Sequence, residues 1–356
     1  MRILVIKPDH LGDLLLATPA LRHLRASQPS AKIVGMVGPW SQRIWQGNPD
    51  LDRLTTFPFP GFARDGSRRR SLRPYFQLLQ AAALLRPQRY AVALLLRDDH
   101  WWGTLMARLA GIPRRIGQAH PRCAPHLTDA LAYDPGDHVT RQALAVVAQV
   151  CEGGIPVARL GDPGLRFDPT LAEQRWAEDW CVAQLAQAER AVLLHPGTGG
   201  PSKHWPLPHW IAVAETLAAQ PGLRLILTGG PDEVALAEQL AAQLSHPVLN
   251  LAGQTSLGQL TALQGRAALV LGVDSGPLHL ALSQGTPTIH LFGPSDAQRF
   301  GPWGDPARHR VLRAGIACSP CGVFAHCPRG TAGPECMAAI SPGAVIAASL
   351  DLLAVG

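Results

Sequence analysis

The chain has 356 residues, 47% of them hydrophobic and 16% charged, with a formal net charge of +6. That balance excludes a disordered or fibrous chain, and no apolar window approaches the roughly 18 residues needed to span a bilayer. The length suits two α/β domains of roughly 150 to 180 residues each, expected to face a cleft.

In chain order, the first half alternates apolar runs with helix-like segments. RILVI (2–6) precedes a helix over 13–26, and KIVGMV (32–37) precedes a helix near 40–47. LDRLTTF leads to a helix over 72–86, AVALLL (91–96) to a helix over 101–110, and RRIG follows. The second half repeats the scheme with AVLLH (191–195), LRLILTGG (223–230), VLNLAG, ALVLGVD (268–274) and PTIHLFG (287–293), separated by helices over 207–219, 232–244, 256–266 and 277–284. Leucine-rich and β-branched runs separated by helices predict parallel sheets covered on both faces, so each half reads as a doubly wound unit. GGIPVARLGDPGLRFDP (153–169) breaks both periodicities after a helix-like segment at 138–151 and is the expected linker. The domains are drawn at 1–165 and 166–356, with the final helix expected to return to the first domain.

MRILVIKPD has too few apolar positions for a signal-peptide core, so a cytoplasmic location is expected. RDGSRRRSLR carries Arg64, Arg68, Arg69, Arg70 and Arg73 in ten residues. Such density attracts phosphates unless it is a solvated loop.

Open α/β sheets bind ligands at the carboxyl ends of their strands, which directs attention to four loops. KPDHLGDLLLATPAL places Asp9, His10, Gly12 and Asp13 after the first strand. Asp13 opens a helix there, where a cap role would account for one carboxylate. HPGTGGPSKHWP lacks the Gly-Lys-Ser/Thr ending of a Walker loop but offers a Gly-rich loop ending in Lys203 as a diphosphate cradle without a magnesium requirement. LTGGPDE brings Asp232 and Glu233 into a first helical turn, where acids suit the helix dipole whatever the function. GVDSGPLHLALSQGTP ends a strand in Asp274 and enters a helix through Ser275 and Gly276, whose N–H groups suit an anion, with His279 read as structural.

Taken together, DHLGDLLLATPAL, HPGTGGPSKHWP, DSGPLHLA and LFGP, in that order along nearly the whole chain, resemble the heptosyltransferases of glycosyltransferase family nine. The resemblance implies a GT-B fold and inverting transfer of a heptose from ADP-heptose to the lipopolysaccharide inner core, with no metal required for catalysis. It implies Asp13 as general base, Lys203 on the diphosphate, Ser275 and Gly276 as main-chain donors to it, and Asp274 on the donor heptose. Glu233 falls near the ribose-binding acid and Thr198 near phosphate. Asp9, His10, Gly12 and the five arginines are acceptor-side candidates for an anionic glycolipid at the inner face of the inner membrane, and no nucleic acid is implied. Two alternatives share the architecture: a family relative acting on a natural product or protein, and a nucleotide-sugar 2-epimerase.

Cys318, Cys321, Cys327 and Cys336 place four thiols in nineteen residues. Two readings stand, a structural zinc or iron site and a set of reduced or redox-active thiols. The second pair lacks knuckle spacing, and a bound metal would be expected away from the sugar chemistry.

Overall fold

A computed structural model describes residues 1–62, 73–151, 164–330 and 333–355. The chain divides into two compact units, Met1–Leu165 and Arg166–Gly356. The expected linker falls largely outside the described residues.

In the first unit the strands are β1 (Arg2–Lys7), β2 (Lys32–Val37), β3 (Arg53–Thr56), β4 (Val92–Leu95), β5 (Arg114–Gln118) and β6 (Asp129–Leu131). They form one parallel sheet in the order β3-β2-β1-β4-β5-β6. The helices are α1 (Leu11–Leu16), α2 (Thr18–Ser27), α3 (Gln42–Trp45), α4 (Arg73–Leu85), α5 (Trp101–Leu109) and α6 (Val139–Ala148). Ile3, Leu4, Val5 and Ile6 of β1 are all buried, which is why RILVI reads as a continuous apolar run and not as an alternating one. The single helix expected over 13–26 is two helices meeting at Ala17. Pro19 sits in the first turn of α2, where its missing N–H costs nothing, and would not fit the interior of one long helix.

The second unit repeats the arrangement. Its strands are β7 (Arg190–His195), β8 (Leu223–Leu227), β9 (Leu249–Asn250), β10 (Leu269–Val273), β11 (Thr288–Leu291) and β12 (His309–Leu312), parallel in the order β12-β11-β10-β7-β8-β9. The helices are α7 (Leu171–Gln184), α8 (Leu207–Ala218), α9 (Val234–Ala241), α10 (Leu257–Gln264), α11 (Gly276–Ser283), α12 (Ala297–Phe300), α13 (Glu335–Ala338) and α14 (Pro342–Val355). Alternate residues of one strand feed two cores. Val192 and Leu194 pack with Trp210, Leu217, Val345 and Leu352, whereas Leu193 packs with Ile226, Leu263 and Leu278. The final helix therefore lies against α8 and buries Val345, Ala348, Leu352 and Leu353 in the core of its own unit.

Gly272 on β10 has no room for a side chain. A Cβ there would lie 2.5 Å from a Leu278 methyl and 2.7 Å from the His195 carbonyl oxygen. Glycine thus lets β10 and the start of α11 close on β7, where the strand order reverses.

Candidate active site

In both sheets the order reverses between the first and fourth strands, and a doubly wound sheet presents its ligand crevice outside the carboxyl ends at that point. The expected motifs lie there, β1 ending at Lys7, β7 at His195 and β10 at Val273.

In the first unit, Asp13 is half-buried in the first turn of α1. The N-cap of that helix is His10, whose side chain makes no capping bond, so Asp13 is not the cap residue, and its charge complements the helix dipole. Asp9 is 1% exposed. Its carboxylate accepts from the Arg97 guanidinium and lies 3.1 Å from the Lys7 ammonium. Its carbonyl oxygen accepts from Trp40 Nε1 at 3.1 Å and Ser41 Oγ at 2.9 Å. Burial alone would raise the Asp9 carboxyl, but Lys7 and Arg97 outweigh it and hold it at about 2. Arg97 is fixed in turn by Asp99, Nε to Oδ1 at 2.5 Å, and lies 5.0 Å over the Phe62 ring. The four charges, Lys7, Asp9, Arg97 and Asp99, sum to zero and tie the end of β1 to the end of β4.

An aromatic group flanks this lattice. Trp40 and Phe62 stack at 6.1 Å, with His10 6.3 Å and 6.5 Å from their respective rings. His100 is 5% exposed among Phe59, Phe62 and Trp102. Neither of its ring nitrogens has a hydrogen-bond partner among the described residues, and burial, against the pull of Asp9, lowers its pKa to about 4. Gly12 is the second residue of α1 and half-buried. Arg64, Arg68, Arg69 and Arg70 lie outside the described residues, and Arg73 is the first residue of α4.

In the second unit, Lys203 ends a short 3-10 turn, Pro201–Lys203, and its ammonium lies 2.6 Å from Asp274 Oδ2 and 3.3 Å from the Asp274 carbonyl oxygen. Asp274 is 7% exposed at the end of β10. Ser275 is the N-cap of α11, and its hydroxyl is buried without a hydrogen-bond partner among the described residues. A cation, a carboxylate and the start of a helix therefore meet between β7 and β10. Glu233 accepts from Gly230 N–H at 2.6 Å and lies 3.6 Å from His195 Nε2. Burial lowers the His195 pKa in spite of Glu233. Thr198 Oγ1 accepts from Gly200 N–H at 3.4 Å. His279 is buried against His290 at 5.6 Å, in keeping with a structural role.

The cysteine segment lies beside the Lys203 turn. Cys318, Cys321, Cys327 and Cys336 line one small cavity together with Ser202 of the Lys203 turn. Ser202 Oγ donates to the Val323 carbonyl at 2.6 Å, and the Phe324 ring lies 4.5 Å from the Lys203 ammonium. The segment is not remote from the expected donor loop. The zinc or iron reading gains no support, because among the described residues no three His, Cys, Asp or Glu side chains are grouped to hold a metal ion. Cys336 is buried on α13, and a Cβ on Gly293 would lie 3.0 Å from its sulfur, so this thiol is packed into the core.

Of the expected residues, Asp9, His10, Gly12 and Asp13 follow β1, Thr198 and Lys203 follow β7, Glu233 follows β8, and Asp274, Ser275 and Gly276 follow β10, whereas Arg97, Asp99 and Phe324 were not foreseen. Arg97 and Asp99 directly follow AVALLL, and the strand-end rule that picked out Asp13 applies to them equally. Phe324 carries no such signal, since it reaches Lys203 from more than a hundred residues away.

A model of glycosyltransferase family 9 (heptosyltransferase) matches residues 79–326. Lipopolysaccharide heptosyltransferase 3 of Escherichia coli K12 is 28% identical over 305 residues, 82% of each chain. The solved glycosyl transferase family 9 structure from Veillonella parvula superposes with a TM-score of 0.79 at 23% identity, covering 100% of this chain and 97% of that one. The structure of E. coli ADP-heptose LPS heptosyltransferase II gives 0.75 at 23%, covering 100% and 99%. At that identity the two structures speak for the fold alone, while the family match spans well over half of the sequence. The chain therefore belongs to glycosyltransferase family 9, the heptosyltransferase family, and is a glycosyltransferase.

Proposed function

We propose that the protein transfers a heptose from ADP-heptose to an anionic glycolipid, the lipopolysaccharide inner core, with inversion and without a divalent metal. The observation that carries this reading is the meeting of Lys203, Asp274 and the buried Ser275 hydroxyl at the β7/β10 switch point. Departure of ADP leaves two negative phosphates to neutralise. An ammonium and the N–H groups at the start of α11 supply positive charge there. Asp274 accepts hydroxyl hydrogens of the heptose, Glu233 those of the ribose, and Thr198 donates to phosphate.

Asp13 acts as general base. It takes the proton from the acceptor hydroxyl as that oxygen attacks the anomeric carbon and the bond to the diphosphate breaks. The arginines at 64, 68, 69, 70 and 73 are assigned by their charge to the negative groups of the acceptor, and His10 and Gly12 to its approach. Asp9 belongs to this side as well, through the loop it pins.

Relatives with the names reported above favour ADP-heptose and a lipopolysaccharide acceptor. Among the described residues no helix is long and apolar enough to cross a membrane. The outer side of α4 nevertheless exposes Tyr75, Phe76, Leu79 and Leu84, directly after the arginine-dense stretch. Aromatic and basic groups so combined suit an anionic membrane surface, so we place the enzyme at the cytoplasmic face of the inner membrane.

The test is nucleotide release from ADP-heptose, UDP-sugars and GDP-sugars, each with and without truncated lipopolysaccharide, followed by the anomeric configuration of the product. Acceptor-dependent release of ADP that persists in EDTA, with an inverted product, is expected. Release confined to a UDP- or GDP-sugar would overturn the donor assignment.

A further inference from the structure

The cysteine-rich segment bridges two loops of the second unit. On one side Ser319 Oγ donates to the Gly293 carbonyl at 2.5 Å, and Gly322 N–H to the Pro294 carbonyl at 2.9 Å, both just beyond β11. On the other side Ser202 gives two hydrogen bonds to the segment, Oγ to the Val323 carbonyl at 2.6 Å and N–H to the Phe324 carbonyl at 3.2 Å. Gly200 makes the close approach feasible, because a Cβ there would meet Phe324 Cβ at 3.1 Å and its carbonyl oxygen at 3.3 Å. The residue following Ser202 is Lys203, and the Phe324 ring covers its ammonium at 4.5 Å.

We propose that Phe324 is a positioning residue for Lys203, holding the ammonium between the aromatic face and Asp274 so that it is already aimed when a nucleoside diphosphate arrives. An ammonium carries three N–H donors. Asp274 takes up two of them through its carboxylate and its carbonyl, and an aromatic face attracts the cation without consuming a hydrogen bond that a phosphate could accept. A lysine side chain is otherwise among the most mobile, and ordering it costs rotamer entropy at the moment of binding. Ordering it beforehand moves that cost from binding to folding. The anchoring of Ser202 serves the same end by fixing the backbone from which Lys203 projects. This rests on the assignment of Lys203 to the donor diphosphate.

The experiment measures ADP binding by titration calorimetry to the full-length wild type, Lys203→Met, Phe324→Leu, Phe324→Tyr and the Lys203→Met/Phe324→Leu pair. Phe324→Leu keeps the bulk and removes the π face, and is expected to weaken ADP binding about threefold to tenfold, in line with an exposed to partly desolvated cation–π contact. Phe324→Tyr is expected to stay within about twofold of wild type, and Phe324→Leu to have no further effect once Lys203 is Met. Equal losses from Phe324→Leu with and without Lys203 would overturn the proposal in favour of plain packing, as would a Tyr variant no better than Leu. If Lys203→Met weakens ADP binding but Phe324→Leu does not, the positioning role fails and the donor site stands. If Lys203→Met has no effect, the donor-site reading fails and the positioning role falls with it.

Discussion

Lys203 and Asp274 form a 2.6 Å ion pair that joins the turn after β7 to the end of β10, with the Asp274 side chain 10% exposed. Its value to stability is modest, because desolvating both charges offsets most of their attraction. In the proposed reading, its value to ligand binding lies in presenting an ammonium beside the buried Ser275 hydroxyl. In that reading, Lys203→Met removes a charge-assisted hydrogen bond to phosphate, and it strands the buried Asp274 carboxylate. ADP affinity is expected to fall about tenfold to a hundredfold, corresponding to about 1.4 to 2.7 kcal/mol. Adding Asp274→Asn should recover thermal stability without recovering ADP affinity. Recovery of both would mean that Lys203 serves only to neutralise Asp274.

Asp13→Asn tests the proposed base on the other unit. The substitution preserves shape and removes proton affinity, so kcat should drop by roughly 10²- to 10⁴-fold, the usual contribution of a positioned base. ADP binding, which the second unit provides in this reading, should be unchanged. A turnover within about threefold of wild type, measured by ADP release, would remove Asp13 from the role.

Much of this was legible beforehand, and the reason is physical. A parallel strand covered on both faces must be apolar throughout, so β1, β4, β7 and β10 announce themselves, and ligands gather where such strands end. The weaker signals were short elements at the sheet edges. DAL of β6 and HRVL of β12 hold too few apolar residues to stand out, and α7 carries exposed Leu171 and Val182 with only Ala177 fully buried. Pairings of side chains were less legible still. The sequence offers Asp9 and Arg97 separately, but their meeting depends on β1 lying beside β4. The position of Phe324 over Lys203 depends on a tail returning across two loops, which no local pattern encodes.

The Asp9 lattice yields a stability prediction. Asp9→Ala leaves the buried Lys7 ammonium with the Leu96 carbonyl, 2.9 Å away, as its remaining acceptor among the described residues. The cost should be about 3 kcal/mol or more, as for other broken buried pairs. Asp99→Ala removes a carboxylate whose side chain is 42% exposed, and should cost less than about 1 kcal/mol. Urea denaturation at neutral pH separates the two, and equal losses would show that Asp9 is no more deeply committed than Asp99. The depressed Asp9 pKa makes its contribution fully present above the unfolded value of 3.8 and lost only as pH falls through about 2. Asp9 therefore does not explain any loss of stability between pH 7 and 5.

His100 acts in that upper window, with the opposite consequence. Its folded pKa of about 4 lies below the ordinary 6.5, so between those values the unfolded chain binds a proton that the folded chain refuses. Stability must then fall as pH drops through 6.5, at a slope approaching about 1.4 kcal/mol per pH unit from this one residue, and level off near 4. Burial is the main cause, while Asp9 and Asp99 pull the imidazole toward protonation and Arg97 and Lys7 oppose it. His100→Phe should flatten the slope. The pocket is aromatic already, and since neither ring nitrogen has a partner among the described residues, the replacement forfeits no hydrogen bond seen there. Thermal denaturation of both proteins from pH 7 to 5 provides the check: the variant should match wild type at pH 7 and exceed it at pH 5. Parallel curves would assign the acid sensitivity to other buried histidines, such as His309, whose pKa is also held at about 4.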